Sequence, residues 1–202
     1  MTLQPQSALG AIFGTASAVT GFSSDSAALR ERADIGCVLL TTADRSTDFV
    51  PAASQAAALP LPLVPGEIVT GASGAMTSSP RRMAIWLSPR SWLIQCDIEE
   101  EGILVERLNR TFSDKLVHAV GFTDHLCWLE LSGTAAIDLI TEGSFLSLER
   151  DGLPIGHAKR TLIAQIAAVV VRNGERIWLI AVERSRARYF ADWLIAAAKA
   201  RE

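Results

Sequence analysis

The stretch LVHAVGFTDHLCWLELSGTAAIDLITEG, residues 116–143, contains the pattern that decides the fold class. Leu116–Phe122 and Leu126–Leu131 are short apolar runs separated by a turn, which is typical of two strands. Ser132 stands where a helix over 134–141 would begin, and its hydroxyl is a preferred N-cap group. The stretch therefore predicts a strand, a second strand and a helix in succession.

Elements of the same kind precede this stretch. Ile35–Thr41 predicts a strand, and Met83–Leu87 and Trp92–Cys96 predict two more around a proline-containing turn. Asp97, with Glu100 three residues later, predicts a capping box for a following helix. The buried stripe of that helix recurs every four residues, at Leu104, Leu108 and Phe112.

A hairpin and a last helix follow the stretch. Leu162–Val171 and Arg176–Val182 flank Asn173-Gly174, which predicts a type I′ turn because that turn needs positive φ at two successive residues. Ser185 predicts the N-cap of the last helix. The apolar face of this helix consists of Tyr189, Phe190, Trp193, Leu194 and Ala197.

From residue 92 the order of these elements is strand, helix, strand, strand, helix, strand, and then one more strand and helix. The first six match the β-α-β-β-α-β order of ferredoxin-like folds. We therefore expect an α+β protein with two layers, an antiparallel sheet covered by helices. One domain is expected over residues 34–202, with its core motifs in 83–200. Residues 1–33, rich in Ala, Ser, Gly and Thr, are expected to form a partly ordered N-terminal arm.

The composition excludes several classes of protein. Of 202 residues, 49% are hydrophobic and 20% are charged, and the mean hydropathy is +0.25, which excludes an intrinsically disordered chain. The longest apolar run, Leu162–Val171, is half the roughly 20 residues that a membrane-spanning helix needs. A net charge of −3 without a long block of one sign argues against nucleic acid as the main partner.

Cysteine usage and the first residues indicate the compartment. Cys37, Cys96 and Cys127 are odd in number, widely spaced and without a C-x-x-C pair, so neither a disulfide framework nor a zinc site is predicted. No Lys or Arg precedes Arg30, and a secretory signal requires a positively charged start. A reducing, cytoplasmic location is therefore expected.

The search for catalytic motifs is negative. The sequence has no Gly-rich nucleotide loop, no H-E-x-x-H and no G-x-S-x-G. His118 and His125 lie near opposite ends of a predicted hairpin, where they could converge, but a structural role is the favoured interpretation for each, as for His157. We expect no catalytic residue and no metal in this chain, and no cofactor-binding residue is assigned.

Two sets of residues are candidates for contact with a partner protein. They are Trp86, Arg90, Trp92, His157, Lys159 and Arg160. The first three lie at a proline-containing turn, and aromatic and arginine side chains are enriched at protein interfaces. The last three place basic groups on a loop of about twenty residues, a length at which loops are usually functional. Both sets are therefore expected to face a partner.

Motifs from about residue 59 onward resemble the gamma subunit family of heterotetrameric sarcosine oxidase. The matching residues, in chain order, are Trp86-Leu87-Ser88-Pro89, Trp92-Leu93, Val120, Thr123-Asp124, Leu129, Leu131, Ser132-Gly133, Ala136, Leu139, the run 153–161, Ser185, Ala187 and Trp193-Leu194. The order of these pieces and the total length carry the resemblance, which covers most of the chain.

The resemblance implies a small, non-catalytic subunit of a complex. The larger partner subunits would hold FAD, FMN, NAD and the tetrahydrofolate site, and this chain itself would carry no cofactor. The complex would oxidise the N-methyl group of sarcosine or of a related secondary amine, giving glycine, hydrogen peroxide and a one-carbon unit. The candidate partner-contact residues would then face the larger subunits.

The stretch from Thr123 to Leu139 also resembles the wider aminomethyltransferase fold, that of the glycine cleavage T-protein, which binds tetrahydrofolate. The Lys-Gly-Cys-Tyr signature of the folate-binding iron–sulfur repair relatives is absent, and the chain is shorter than a full aminomethyltransferase. Two alternatives stay open at this point. One is a stand-alone tetrahydrofolate-binding one-carbon protein, and the other is a ferredoxin-like module that binds an unrelated protein.

Overall fold

The computed structural model describes residues 7–13, 21–43, 46–71, 82–145 and 152–201. The helices in these residues are α1 (Gly10–Phe13), α2 (Phe49–Ala57), α3 (Glu101–Thr111), α4 (Ala136–Glu142) and α5 (Ala187–Lys199). The strands are β1 (Phe22–Ser23), β2 (Ala28–Glu31), β3 (Ile35–Thr42), β4 (Ile68–Thr70), β5 (Met83–Ser88), β6 (Ser91–Asp97), β7 (Val117–Gly121), β8 (Leu126–Ser132), β9 (Ala158–Ile163), β10 (Ile166–Arg172) and β11 (Ile177–Glu183). None of the described helices has the length and apolar character needed to cross a membrane.

The chain divides into two compact units. The central unit consists of residues 34–124 with 156–158, and the terminal unit consists of residues 1–33, 125–155 and 159–202. The sequence predicts one domain over 34–202, whereas the structure groups the middle of the chain around one sheet and its two ends around another. Each sheet has its own helices and its own buried core.

In the central unit, a five-stranded antiparallel sheet has the order β4-β5-β6-β3-β7. In chain order, β3, α2, β5, β6, α3 and β7 form a β-α-β-β-α-β unit, and β4 is added beside β5. The register of β3 and β6 pairs Val38 with Ile94 and Leu40 with Trp92, which places these side chains on one face. That face forms a core with helix residues that include Phe49, Ala53, Leu104 and Leu108.

In the terminal unit, a six-stranded sheet has the order β1-β2-β8-β11-β10-β9. In chain order, β8, α4, β10, β11 and α5 repeat the same pattern, and β9 is added beside β10. The strand that would come last, after α5, is supplied by β2 from the N-terminal part of the chain, with Leu29 opposite Leu131. Its core joins one face of this sheet to residues of α4 and α5 such as Leu139 and Phe190.

The α+β class and the antiparallel sheets are confirmed. The ferredoxin-like order is present as well, but it does not begin at the strand that the sequence predicts. The six predicted elements are divided between two sheets, because β6 and β7 belong to the sheet of the central unit whereas β8 and β9 belong to the sheet of the terminal unit. The described strands β7 and β8 do not form the expected hairpin, since β7 pairs with β3 and β8 pairs with β2 and β11. The convergence of His118 and His125 across that hairpin is therefore not supported.

The predicted N-terminal arm belongs to the terminal unit wherever it is described. β1 and β2 are strands of its sheet, and Leu9, Ala27 and Leu29 are buried. The sequence does not reveal β2 because four residues, two of them apolar, are too few to show a period of two. The other parts of the predicted arm, residues 1–6 and 14–20, lie outside the described residues.

The hairpin turns also differ from the prediction. β10 and β11 form a hairpin at Asn173-Gly174, with Arg172 opposite Trp178, but neither turn residue adopts positive φ. Two successive positive φ values, 48° and 64°, occur instead at Ala164 and Gln165, between β9 and β10. The apolar run that the sequence presents as one strand therefore contains a tight turn without glycine.

The side-chain caps predicted at Asp97, Ser132 and Ser185 are not formed. No side-chain cap hydrogen bond is present at the start of α3, α4 or α5. Asp97 directly precedes a 3-10 turn before α3, and Ser185 lies within a 3-10 turn before α5. These turns tighten the start of the helix and satisfy backbone groups that a cap would otherwise serve.

Candidate partner-contact surface

Trp86 and Trp92, two of the predicted partner-contact residues, lie opposite each other on β5 and β6. The indole Nε1 of Trp92 donates to the Pro62 carbonyl at 2.7 Å, and its ring centroid lies 5.5 Å from that of Phe49. Trp92 is buried in the core of the central unit. Its assignment as a surface contact is therefore corrected, because its ring packs against Phe49 of α2 and its N–H is bonded to the Pro62 carbonyl.

Trp86 is half-buried, and Arg90 is exposed. The backbone N–H of Trp86 donates to the Glu67 carbonyl at 3.3 Å, which places Glu67 beside it, just before β4. Arg90 lies at the tip of the β5–β6 hairpin, where its carbonyl accepts from the Thr42 N–H at 3.0 Å. The backbone of both residues is thus fixed within the sheet, and their side chains remain candidates for contact.

Glu67 joins Trp86 to the second predicted set. Glu67 and His157 form an isolated antiparallel bridge, and the Ala158 N–H donates to the Gly66 carbonyl at 2.8 Å. Gly66 has a φ of 82°, and a Cβ there would lie 3.2 Å from the Ala158 oxygen, so this approach requires glycine. Trp86 and His157 therefore flank the Glu67 backbone within the central unit.

Lys159 and Arg160 have a different position. Both are exposed on β9, the edge strand of the sheet in the terminal unit. The basic set that the sequence places on one loop is thus divided, with His157 in the central unit and the other two residues in the terminal unit.

Leu63 and Val64, which sequence reasoning missed, are apolar side chains exposed close to Glu67 in the chain. They are 62% and 61% exposed, whereas Leu59 and Leu61 of the same proline-rich run are buried. The Glu67 N–H donates to the Val64 carbonyl at 3.1 Å, which closes a turn and takes the two side chains away from the core. An apolar pair directly before Pro65-Gly66 was the sequence signal that could have revealed them.

We refer to Leu63, Val64, Glu67, Trp86 and His157 as the Glu67 surface. It combines two exposed apolar side chains, a half-buried indole, a carboxylate and an imidazole within one unit. This is the mixture of apolar, aromatic and polar groups that protein interfaces use. The backbone groups of Glu67 and Trp86 are engaged by neighbouring segments, and the surface offers its side chains for contact.

Thr123, part of the motif that carried the resemblance, ties the central unit together. Its Oγ1 donates to Oε1 of Glu101 at 2.7 Å and accepts from the Cys37 N–H at 2.9 Å. The Thr123 N–H donates to the same Glu101 oxygen at 3.0 Å. These bonds link β3, α3 and the turn after β7, so the polar groups of Thr123 serve the fold.

The Ser132-Gly133 turn at the start of α4 has a structural role too. Gly133 has a φ of 116°, and a Cβ there would lie 2.2 Å from the Ser26 carbonyl oxygen. That same carbonyl accepts from the Ala135 N–H at 3.0 Å. The start of α4 is therefore occupied by the backbone that leads into β2.

The three cysteines are free and buried. Burial, assisted by the nearby Glu101 carboxylate, raises the pKa of Cys96 to about 12. Burial, with Glu31 beside it, also raises the pKa of Cys127 well above its usual range. A thiol held protonated in this way is a poor nucleophile. In the part of the chain that the structure describes, no three His, Cys, Asp or Glu side chains are grouped to hold a metal ion.

Comparison with known proteins identifies both a family and a fold. The model of a family described as "Sarcosine oxidase, gamma subunit family" matches residues 42–200. A chain of the heterotetrameric sarcosine oxidase from Corynebacterium sp. U-96, solved in complex with pyrrole 2-carboxylate, is 23% identical, with a TM-score of 0.78 over 95% of this chain and 93% of that chain. No curated protein matches the sequence.

A second solved structure shares the fold at lower similarity. The glycine cleavage system aminomethyltransferase T from Bartonella henselae is 14% identical, with a TM-score of 0.58 over 84% of this chain and 45% of that chain. The present chain therefore spans about half the length of that protein. The expected likeness to the aminomethyltransferase fold is confirmed.

Proposed function

This chain belongs to the sarcosine oxidase gamma subunit family, and on that premise we propose that it is a small, non-catalytic subunit of a sarcosine-oxidase-type complex. The complex oxidises the N-methyl group of sarcosine or of a related secondary amine and reduces dioxygen to hydrogen peroxide. Its other products are glycine and a one-carbon unit. The observation that carries the proposal is the family match over residues 42–200.

In this proposal the larger subunits hold FAD, FMN, NAD and tetrahydrofolate, and the complex is cytoplasmic. The internal use of the polar groups of this chain supports a non-catalytic role. Glu101 is engaged by Thr123, the first turn of α4 is engaged by the Ser26 carbonyl, and the pKa of Cys96 is raised by burial. Three free cysteines agree with a reducing compartment.

The Glu67 surface is the part of the central unit that contacts a larger subunit. Exposed apolar side chains at Leu63 and Val64 support this role, because burying them against a partner removes apolar area from water. Arg90 at the hairpin tip and Lys159 and Arg160 on β9 add exposed positive charge for contact with a partner.

The test is co-expression with the larger subunits and measurement of assembly for Val64→Asp against Ile103→Asp. Val64 and Ile103 are both 61% exposed and both belong to the central unit, so the two variants add the same charge to equally exposed sites. We expect Val64→Asp to weaken assembly about tenfold or more, as for a residue in the centre of an interface, and Ile103→Asp to leave it unchanged.

Equal assembly of the two variants would remove the Glu67 surface from the proposal. Failure of the unaltered chain to co-purify with the larger subunits would remove the subunit function itself. The double variant His157→Ala with Arg160→Ala tests the basic residues in the same way, and it should reduce co-purification.

The fold shared with aminomethyltransferase T favours testing one alternative, a stand-alone tetrahydrofolate-binding protein. That function predicts micromolar binding of tetrahydrofolate to the isolated chain. A flat calorimetric titration would exclude it, and a saturable one would replace the subunit proposal.

A further inference from the structure

Residues Ser7–Phe13 lie on the terminal unit and are attached at one carboxylate, that of Glu31 at the end of β2. Oε1 of Glu31 accepts from the Ala8 N–H at 2.8 Å, and Oε2 accepts from the Leu9 N–H at 3.2 Å and from the Ser7 hydroxyl. A carboxylate that accepts three hydrogen bonds holds its donors more strongly than a neutral acceptor would. We refer to Ser7–Phe13 as the strap.

One fully buried side chain anchors the strap to the core. Leu9 is completely buried among the core residues of the terminal unit, while Ala8, Ile12 and Phe13 are partly buried against them. The helical part of the strap, α1, has only four residues, too few to be stable without attachment. The order of the strap therefore depends on its attachment, to which Leu9 contributes a fully buried side chain and Glu31 a carboxylate acceptor.

The Cys127 thiol meets the strap at the same carboxylate. Its Sγ donates to Oε1 of Glu31 at 3.7 Å, and this is the oxygen that accepts from the Ala8 N–H. Cys127 is 3% exposed, and burial raises its pKa. The strap and the thiol thus share one hydrogen-bond acceptor, and Leu9 of the strap belongs to the same buried core as Cys127.

We propose that the strap is a releasable cover, locked by Glu31 and Leu9, whose opening makes the Cys127 thiol accessible while the rest of the terminal unit stays folded. In the closed state the thiol is shielded and bonded to Glu31. In the open state it is exposed at the end of β8. Local openings of this kind involve segments that have few buried apolar contacts.

The test is modification of the full chain under native conditions with N-ethylmaleimide, followed by mass spectrometry that measures each cysteine separately. Cys37 and Cys96 are completely buried in the central unit and serve as internal references. Leu9→Ala removes the apolar anchor without changing a charge, and Glu31→Gln weakens the carboxylate lock. We expect both variants to speed modification of Cys127 about tenfold or more, the ratio that corresponds to losing one charge-assisted hydrogen bond or one buried anchor.

Leu9→Ala decides between the strap and a purely electrostatic effect, because Glu31→Gln also removes a negative charge next to the thiol. Faster modification of Cys127 in both variants, with the reference cysteines unchanged and at urea concentrations where each variant's terminal unit is still folded, supports the proposal. Faster modification in Glu31→Gln alone contradicts it. Equal acceleration at all three cysteines also contradicts it, because the strap would then open only when the whole chain unfolds.

Discussion

The two units share one strand order but protect the outer edge of their sheets differently. In the central unit, β7 follows α3 directly in the chain, and the Asn109 amide of α3 covers its edge. This amide donates to the Ala119 carbonyl at 2.8 Å and accepts from the Ala119 N–H at 3.0 Å. In the terminal unit, the corresponding strand β2 comes from the other end of the chain and is covered by β1. An amide side chain on a packed helix can therefore protect a sheet edge as an additional strand does.

The origin of the outer strand has a steric consequence. A strand that is brought from elsewhere in the chain must be docked against the sheet, and in the terminal unit its entry passes Gly133 at very short distance. A Cβ at Gly133 would lie 2.2 Å from the Ser26 carbonyl oxygen and 2.9 Å from the Ala27 Cα. The central unit reaches β7 directly from α3, so it needs no docking of a distant segment.

The largest expected effect is that of Gly133→Ala. The positive φ and the collision with the Ser26 backbone would cost about 4 kcal/mol or more, which is a large part of the stability of a domain this size. Urea unfolding measures the loss. Gly102→Ala on α3 is the control, because no atom lies within 4 Å of its added Cβ. An unchanged midpoint for Gly133→Ala would show that β2 is not docked as described.

Asn109→Ala is expected to have the next largest effect, and it tests whether the amide protects the edge of the sheet in the central unit. It removes both hydrogen bonds to the buried Ala119 backbone and leaves that N–H and C=O without their partner. We expect a loss of about 2 kcal/mol in the free energy of unfolding and increased self-association by light scattering. Asn109→Asp keeps an acceptor but loses the donor, so its stability should lie between that of the unaltered chain and that of Asn109→Ala. If Asn109→Ala is as stable as the unaltered chain, the amide does not replace a strand.

The turn between β9 and β10 gives a smaller, stabilising effect. Ala164 and Gln165 both adopt positive φ, which costs energy in residues that have a Cβ. Replacing them together by Asn and Gly should stabilise the protein by about 1 kcal/mol, measured by urea unfolding. Gly174→Ala is the matched control in the neighbouring hairpin, where φ is not positive and the nearest side-chain atom is 3.8 Å from the added Cβ. If Gly174→Ala lowers the free energy of unfolding by more than the Asn-Gly replacement raises it, then the turn that needs positive φ is the one at Asn173-Gly174 and not the one at Ala164-Gln165.

The sequence predicted the central unit better than the terminal unit, and the reason is chain distance. β3, β5, β6, α3 and β7 have local signals of their own, since their apolar periods are complete within each element. β2 has four residues, and its place beside β8 depends on pairing across about 100 positions of sequence, as in the Arg30–Glu130 ion pair at 2.9 Å. The turn at Ala164-Gln165 has no glycine and therefore no turn signal.

The candidate surface follows the same rule. Trp86 and His157 were identified from local composition, but their common neighbour Glu67 is defined by backbone pairing that no local pattern encodes. Trp92 was misplaced because a tryptophan beside a turn has the same sequence context whether it points inward or outward. The structure distinguishes the two cases through the Pro62 carbonyl, which accepts the indole N–H.

The smallest expected effect concerns the start of the second helix, where the two units carry opposite charge. Asp97, Glu99 and Glu100 precede α3, whereas Arg184 and Arg186 precede α5. Burial is the largest of the effects that raise the pKa of Asp97 above its ordinary value of 3.8, and the negative charges of Glu100 and Glu99 add to it. Because the folded state then binds the proton more tightly, its contribution to stability is present below pH 3.8 and is lost as the pH rises through the raised pKa.

Asp97→Asn removes that loss, so we expect it to stabilise the protein at neutral pH by a few tenths of a kcal/mol, a small amount because solvent screens the exposed part of the carboxylate. The difference from the unaltered chain should shrink as the pH is lowered and vanish below the unfolded-state pKa, as measured by urea unfolding at several pH values. Glu183→Gln is the control in the terminal unit, where arginines follow the carboxylate and no gain is expected. A gain for Asp97→Asn that persists unchanged at acid pH would mean that the amide makes a new hydrogen bond, and the contrast in charge between the two helix starts would then not determine their stability.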